Sequence, residues 1–273
     1  MKTPVLKVEN LFVTVKDQSG LNQVVKGISF VLNKGECLGI LGESGSGKSI
    51  TMKAIIGILD SSFSVSGEAI YNGKNLIGAP QKYLRKLRGQ KITLVMQHPM
   101  ACFDPLFSIE KQMKETLRTH TSMADDEMEK KLLDILNFMC IRQPDEVLKK
   151  YPHQLSGGML QRVMIGLALV MDPDIIIADE PTTAIDAITQ YEIIQEFLRI
   201  KNQRGKSIVF ISHDIGVISA VADKVLVMNQ GCVVDQGKLD EIIKNASDPY
   251  TRQLIRTRNK ITQKYEESVK RSI

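Results

Sequence analysis

Eight consecutive residues carry groups suited to holding phosphate, and they read Gly42-Glu43-Ser44-Gly45-Ser46-Gly47-Lys48-Ser49. Glycines allow a tight turn in which successive backbone N–H groups point inward toward phosphate oxygens. The ammonium group of Lys48 supplies a positive charge for the β- and γ-phosphates, and the Ser49 hydroxyl is a ligand for Mg²⁺. The spacing G-x-x-x-x-G-K-S therefore predicts a loop that binds the phosphates of a nucleotide.

The residues on either side of this loop have the character that such a loop requires. The apolar run Cys37–Leu41 predicts a short buried strand that enters the loop, and residues 50–59 predict a helix that leaves it. The N–H groups at the start of a helix face an anion favourably. This context supports nucleotide binding over a glycine-rich turn that matches the pattern by accident.

A pair of acids forms a second candidate group. Asp179 and Glu180 directly follow the apolar run Ile175–Ala178, which predicts a buried parallel strand. Ligands of open parallel sheets bind at the carboxyl ends of the strands. Asp179 therefore suits the anchoring of Mg²⁺, directly or through water, and Glu180 could act as the general base that accepts a proton from water.

A serine and two glycines open another predicted helix. Ser156, Gly157 and Gly158 precede the apolar pattern Met159–Met171. A serine cap with a glycine-rich entry makes a second helix N-terminus that can bind an anion. The sequence thus predicts two helix N-termini that bind phosphate, and we expect both to contact nucleotide.

The order of these motifs resembles that of ATP-binding cassette (ABC) proteins. The segment Leu155–Arg162 is similar to the family signature L-S-G-G-x-x-x-R, and it lies between the phosphate loop and the two acids. The resemblance implies ATP and Mg²⁺ as cofactors. It also implies that the signature of one cassette closes on the ATP held by the phosphate loop of another.

The same resemblance implies roles for three further residues. Gln97 matches the family glutamine that contacts Mg²⁺ or the attacking water, and His213 matches the histidine that senses the γ-phosphate. Asp186 ends a segment, Ala184-Ile185-Asp186, that is similar to the family's D-loop with isoleucine in place of leucine. The expected catalytic residues are thus Glu180, His213 and Gln97.

The nucleotide base has a less usual expected neighbour. Many ABC cassettes place an aromatic residue in the first hairpin to stack on adenine, and the resemblance puts Val15 at that position. Phe12 lies three residues earlier and is expected to point from the opposite face of the strand. We therefore expect the nucleotide base to stack weakly on the protein and the protein to discriminate only loosely between ATP and GTP.

The predicted elements place the motifs in an α/β fold. The runs Val5–Val15 and Val24–Leu32 predict an N-terminal antiparallel subdomain, which Glu68–Tyr71 and the turn Asn72-Gly73 continue. The parallel-sheet core is predicted from these segments: strand Ile92–Met96, strand Ile175–Ala178, helix Ala187–Gln203 and strand Ser207–Ser212. A small hairpin is predicted between Val225–Met228 and Cys232–Val234. Together with the motifs, this pattern predicts the P-loop NTPase fold of an ABC cassette.

An inserted α-helical subdomain is expected at about residues 98–154. Ser122 and Asp125 have the spacing of a capping box for a helix that runs to about Met139. Four apolar residues are candidates for a groove that binds a cytoplasmic helix of a membrane subunit, with packing beneath the loop as the alternative: Met100, Phe103, Leu106 and Phe107. We expect residues 1–251 to form the ATPase domain and residues 252–273 a basic tail.

Charge and composition exclude several classes of protein. The net charge is +5, and the segment from Arg252 to the end has an equal surplus of basic residues. The body is therefore neutral, which argues against nucleic acid as a partner.

No run of about 18 uncharged apolar residues occurs, and the N-terminus lacks a signal-peptide core, so we expect a cytoplasmic protein. The four cysteines are scattered singly and are interpreted as buried or partly buried thiols.

The resemblance is most specific to importers of oligopeptides, dipeptides and nickel. It rests on the phosphate loop, on Met96–Pro99 with Phe103–Leu106, on Tyr151–Arg162 and on Asp248-Pro249-Tyr250-Thr251. It implies two membrane permease subunits, a second and non-identical ATPase subunit, an extracytoplasmic solute-binding protein, and a location on the cytoplasmic face of the membrane. Nickel or another chelated transition metal is the expected cargo. Short peptides are the alternative, and a non-transport ABC ATPase is the rival from another class.

Overall fold

The computed structural model describes residues 3–17, 20–183 and 185–257. Within these ranges the strands are β1 (Pro4–Asp17), β2 (Gly20–Asn33), β3 (Cys37–Leu41), β4 (Phe63–Tyr71), β5 (Lys74–Asn75), β6 (Ile92–Val95), β7 (Ile175–Asp179), β8 (Ser207–Ser212), β9 (Lys224–Asn229) and β10 (Cys232–Lys238). The α-helices are α1 (Lys48–Ile55), α2 (Gln81–Leu87), α3 (Ile109–His120), α4 (Asp125–Phe138), α5 (Pro144–Lys149), α6 (Gly157–Leu169), α7 (Ala187–Arg204), α8 (Ile215–Val221) and α9 (Leu239–Asn245). Short 3₁₀ turns occupy Pro99–Ala101 and Pro152–Gln154. Residues 249–257 are also helical.

Two compact units divide the chain. Of the described residues, the first unit comprises 3–5, 33–35, 78–183 and 185–209, and the second comprises 6–17, 20–32, 36–77 and 210–257. The expected inserted subdomain, residues 98–154, falls within the first unit, and its boundaries stay a prediction. Most of the predicted basic tail, residues 258–273, lies outside the described residues, and residues 252–257 belong to the last helix.

In the second unit, short apolar runs build the predicted antiparallel subdomain. Its sheet has the strand order β2-β1-β4-β5, with β1 and β4 antiparallel in a register that pairs Val13 with Val65. A further set of strands has the order β10-β9-β3, in which β3 runs parallel to β9 and β10 runs antiparallel to it. All five residues of β3 are buried, as the continuous apolar run Cys37–Leu41 predicts. The expected hairpin of β9 and β10 is confirmed.

In the first unit, β6 and β7 form a parallel pair, and Ile92 lies opposite Ile175. The helices α3, α4, α5 and α6 pack on one another through buried faces. Their side chains recur at helical spacing, as Met128, Leu132 and Ile135 do on α4. The predicted α/β architecture and the helical character of residues 109–149 are therefore confirmed.

Three local predictions need correction. The helix after the phosphate loop ends at Ile55 rather than near residue 59, because Gly57 adopts a φ of 67° and the N–H of Ile58 bonds back to the Lys53 carbonyl. The signature helix begins at Gly157 and ends at Leu169 rather than spanning 159–171. The third correction concerns exposure, since Cys140 is exposed and was expected to be at least partly buried.

The predicted capping box of Ser122 and Asp125 is wrong. Helix α4 begins at Asp125 with Ala124 as its N-cap residue. The carboxylate that reaches back belongs to Glu127, whose Oε2 accepts from the Ala124 N–H at 3.3 Å. An alanine cannot accept the complementary bond, so three acids in the first turn stabilise this helix start instead: Asp125, Asp126 and Glu127.

Among the described residues, no helix combines the length and the apolar character needed to cross a membrane.

Candidate functional site

The phosphate loop lies in the second unit and connects β3 to α1. Its turn requires glycine at two positions, because Gly45 has a φ of 81° and Gly47, the N-cap residue of α1, has a φ of 99°. Helix α1 begins at Lys48, so the first N–H groups of the helix face the loop interior. The structure therefore places residues 42–49 in the strand–loop–helix context that the sequence predicts.

The Lys48 side chain lies inside this loop. It is only 4% exposed, and its Nζ donates to the Gly42 carbonyl at 2.7 Å and to the Glu43 carbonyl at 2.8 Å. The Glu43 carbonyl also accepts from the Ser46 N–H at 3.2 Å. The loop thus surrounds a buried ammonium group with its own carbonyl oxygens, and this group is the positive charge that the sequence assigns to phosphate binding.

Close packing explains why the loop has glycine at its first position. A Cβ on Gly42 would lie 2.3 Å from the Met228 carbonyl oxygen. The Gly231 N–H, in the turn between β9 and β10, donates to the Ser46 carbonyl at 3.1 Å. The backbone of β9 and of the turn after it therefore packs directly against the phosphate loop. A side chain at position 42 would push the loop away from this backbone.

Two further predicted residues lie in the second unit. Val15 is half-buried on β1 opposite Phe63 of β4. The Phe12 ring covers Gly27, since a Cβ there would lie 2.8 Å from Phe12 Cζ. His213 is exposed and directly follows the buried strand β8, with Asp214 capping α8 through the Gly216 N–H at 2.6 Å.

The acidic pair lies in the first unit at the end of β7. Asp179 is the last residue of this strand, and Glu180 adopts a φ of 49°, a conformation that is uncommon for a residue with a side chain. The Glu180 Oε2 accepts from the Thr183 hydroxyl at 2.9 Å and from Gln97 Nε2 at 3.5 Å. Two of the predicted catalytic residues are therefore in contact, because the Gln97 side chain donates to the Glu180 carboxylate.

The signature motif forms a helix N-terminus in the first unit. The Ser156 side chain accepts from the Met159 N–H at 3.3 Å, and Ser156 and Gly157 are exposed. A cavity of about 400 Å³ lies beside them and is lined by Ser156, Gly157, Gly158, Met159, Arg162, Ile185, Asp186, Thr189 and Glu192. The expected contact residues Ser156, Gly157, Gly158 and Asp186 thus share one cavity.

Asp186 also caps helix α7. Its Oδ1 accepts from the N–H groups of Ile188 and Thr189 at 3.0 Å, and its Oδ2 accepts from the Thr189 hydroxyl at 2.7 Å. These bonds from Thr189 lower the pKa of the Asp186 carboxyl group. The side chain therefore stays ionised near neutral pH and holds the wall of the signature cavity in place.

Sequence reasoning missed two residues that bond to Glu180 or to the turn that follows it. Thr183 donates to Glu180, and Gln161, which is only 1% exposed, donates from Nε2 to the Pro181 carbonyl at 2.9 Å. Gln161 belongs to α6, so it connects the signature helix to the turn that follows Glu180. A polar residue on the buried face of an apolar helix was the available signal, because such a group needs a specific partner.

Comparison with known protein families gives one match that covers more than half of the chain. Residues 25–183 match the family described as ABC transporter.

Two curated relatives match along most of their length. The metal-staphylopine import system ATP-binding protein CntD of Staphylococcus aureus is 44% identical over 248 residues, which cover 91% of this chain and 92% of the relative. The dipeptide transport ATP-binding protein DppD of Bacillus subtilis is 40% identical over 253 residues, which cover 92% of this chain and 76% of the relative.

Among solved structures, the ATP-binding cassette MJ0796 bound to ADP and phosphate is similar with a TM-score of 0.76 and 29% identity. The match covers 86% of this chain and 98% of that one. Its fold agrees with the α/β architecture described above.

Proposed function

The chain belongs to the ABC transporter family of ATP-binding proteins, and from that premise we propose that it powers import of a chelated transition metal. The chain is an importer ATPase, and what we propose in addition is the identity of its cargo. The observation that carries the cargo is the 44% identity with a metal-staphylopine import protein along nearly the whole of both chains.

We further propose how the residues of the phosphate loop act on ATP. The loop N–H groups and the Lys48 ammonium group bind the β- and γ-phosphates, and the burial of Lys48 inside the loop supports this assignment. Mg²⁺ would be held by the Ser49 hydroxyl, by Gln97 and by Asp179, the last directly or through water. When bound, Mg²⁺ supplies positive charge that offsets the charge on the phosphate oxygens.

Glu180 is the proposed general base. Its carboxylate accepts a proton from water as the water oxygen attacks the γ-phosphorus, and ADP leaves with the electron pair of the broken P–O bond. The bonds from Thr183 and Gln97 orient this carboxylate, and His213 is the proposed sensor of the γ-phosphate. The protonated acid is the product state of Glu180 in this step.

The signature cavity is proposed to receive the ATP of a second cassette. Its exposed helix N-terminus at Ser156 and Gly157 offers N–H groups to a γ-phosphate. The partners are then a second, non-identical ATPase subunit, two permease subunits and an extracytoplasmic solute-binding protein. The assembly places this chain at the cytoplasmic face of the membrane.

A dipeptide or oligopeptide importer is the second candidate function. The 40% identity with a dipeptide transport ATP-binding protein of Bacillus subtilis supports it. Both candidates share the ATPase chemistry and differ in the permeases and the binding protein.

Uptake in host cells that lack this chain tests the cargo. We expect these cells to lose accumulation of nickel-63 supplied with the host's own metallophore, and to keep uptake of radiolabelled dialanine. Wild-type protein restores nickel uptake, whereas Lys48→Ala does not. Loss of dialanine uptake with normal nickel uptake would establish the peptide alternative, and no change in either would exclude both cargoes.

The nucleotide base provides a separate prediction. Because Val15 offers no aromatic face and Phe12 packs over Gly27, we expect ATP and GTP to bind within about tenfold of each other, about 1.4 kcal/mol. Val15→Tyr should favour ATP, and Thr14→Tyr is the matched control because adjacent strand residues point to opposite faces. Equilibrium binding of both nucleotides measures the ratio. A strong preference for ATP in the wild-type protein would contradict the assignment of Val15.

A further inference from the structure

The segment Asp248-Pro249-Tyr250-Thr251 contacts the phosphate loop directly. Both lie in the second unit, and the Tyr250 hydroxyl oxygen accepts a hydrogen bond from the Glu43 N–H at 2.8 Å. The two residues are 207 positions apart in the chain. None of the roles described above involves this tyrosine.

The bond acts on the peptide group that holds Lys48. The Glu43 N–H and the Gly42 carbonyl belong to the same peptide unit, and in a trans peptide they point in opposite directions. On one side the N–H donates to Tyr250, and on the other side the carbonyl accepts from Lys48 Nζ at 2.7 Å. The orientation of this single plane therefore links the tyrosine to the ammonium group.

The tyrosine itself is held by a set of hydrogen bonds. The Asp248 Oδ1 accepts from the Tyr250 N–H at 2.8 Å, so the start of the last helix is capped. The Asp235 carboxylate accepts from the N–H groups of Ser247 at 3.2 Å and Asp248 at 3.1 Å, and from the Ser247 hydroxyl. The Thr251 side chain is fully buried. The segment 247–251 is therefore attached to β10.

The ionisation states of these groups suit that arrangement. Burial acts to raise the pKa of Asp235, but hydrogen bonds from Ser247 and from the Asp248 N–H outweigh it, so the pKa is lowered. Burial raises the pKa of Tyr250, although the bond from the Glu43 N–H opposes this. Near neutral pH the aspartate is therefore charged, and the tyrosine is a neutral hydroxyl with a lone pair for the loop.

We propose that Tyr250 is a positioning residue of the ATP site, whose hydroxyl orients the Gly42–Glu43 peptide and through it the Lys48 ammonium group. The inference rests on the proposed assignment of the loop to the ATP phosphates. Glu43, Ser44 and Gly45 are exposed. The hydrogen bond from the Glu43 N–H to Tyr250 restricts the conformations of this part of the loop before ATP binds, so less conformational entropy is lost on binding. Tyr250 contacts neither the phosphates nor the attacking water in this proposal.

The test is Tyr250→Phe in the full chain, which removes the hydroxyl and keeps the ring. We expect the Kd for MgATP to rise about fivefold, the effect of losing one ordinary hydrogen bond. In the assembled transporter, KM for ATP should rise by a similar factor while kcat at saturating ATP changes by less than about twofold. Tyr250→Ala should weaken binding to the same degree, because the hydroxyl is the group that acts.

Two controls separate this proposal from the assignment of the loop itself. Tyr151→Phe changes a tyrosine of the first unit that stacks on His153, and it should leave the Kd unchanged. Lys48→Ala should abolish ATP binding. Normal binding by Lys48→Ala would mean that the phosphate-loop assignment is wrong, whereas lost binding there with a wild-type Kd in Tyr250→Phe would overturn only the role of Tyr250.

A purely structural role for Tyr250 would give a different pattern. In that case Tyr250→Ala would lower the unfolding temperature and the affinity together, and Tyr250→Phe would behave as wild type. That pattern, or a fall in kcat without a change in KM, would overturn the proposal.

Discussion

Glu180→Gln is expected to reduce ATP turnover at least about 100-fold while ATP still binds, which is the usual scale for loss of a general base. Glutamine has nearly the same shape and keeps a carbonyl oxygen that can accept the bonds from Thr183 and Gln97. It cannot take up the proton of the attacking water. Steady-state phosphate release by the assembled transporter measures the effect.

The same variant should accumulate as an ATP-bound dimer of cassettes, because the closed state is no longer relieved by hydrolysis. Size-exclusion chromatography with and without MgATP detects this species. Glu115→Gln is the matched control, since Glu115 is an exposed glutamate on α3. Near-normal turnover by Glu180→Gln would remove Glu180 from the role of general base.

A loop in the first unit, residues 104–107, presents apolar side chains to solvent. Leu106 is 77% exposed, and Phe107 is 37% exposed with Lys111 Nζ 3.6 Å from the centre of its ring. The Gln112 side chain bonds to the backbone at both ends of this loop, donating to the carbonyls of Asp104 at 3.0 Å and Phe107 at 2.9 Å. Such a hydrogen-bonded, exposed apolar loop suits binding of a helix from a membrane subunit.

Leu106→Asp and Phe107→Asp are therefore expected to abolish cargo uptake and assembly with the permease subunits. Nucleotide binding by the isolated subunit should be unchanged, because neither residue lies in the phosphate loop. Co-purification with the permeases and equilibrium ATP binding measure the two properties. Leu21→Asp is the matched control, since Leu21 is 78% exposed at the start of β2 in the second unit. Normal assembly of both loop variants would show that the permeases bind elsewhere.

Phe103 behaves differently from its neighbours. The sequence placed it in the same candidate groove, but its side chain is only 5% exposed. Of the two interpretations that the sequence left open for it, packing beneath the loop is the correct one. A Phe103→Asp change should cost about 3–5 kcal/mol of folding stability and lower the unfolding temperature, because it removes a buried ring and buries a carboxylate.

Local features of the sequence were enough to predict most of the helices and strands and where the motifs lie on them. The phosphate loop, the acids after β7 and the signature are short motifs whose candidate residues are neighbours in the sequence. Continuous apolar runs such as Cys37–Leu41 and Ile175–Ala178 identified buried parallel strands, because only such strands exclude water on both faces. Even the unusual conformations at Gly45 and Gly47 follow from local spacing.

Features that depend on partners far along the chain were decided only by the tertiary structure. The bond between Tyr250 and the Glu43 N–H joins residues that no periodicity relates, and the bond from Gln161 to the Pro181 carbonyl connects a helix to a strand end. Burial of Phe103 beside exposed Leu106 likewise depends on which elements pack against that loop. A sequence determines which groups are able to form hydrogen bonds or to pack in the core. Which of these groups come into contact depends on how distant segments fold, because each buried polar group needs a hydrogen-bond partner and each buried ring needs close-packed neighbours.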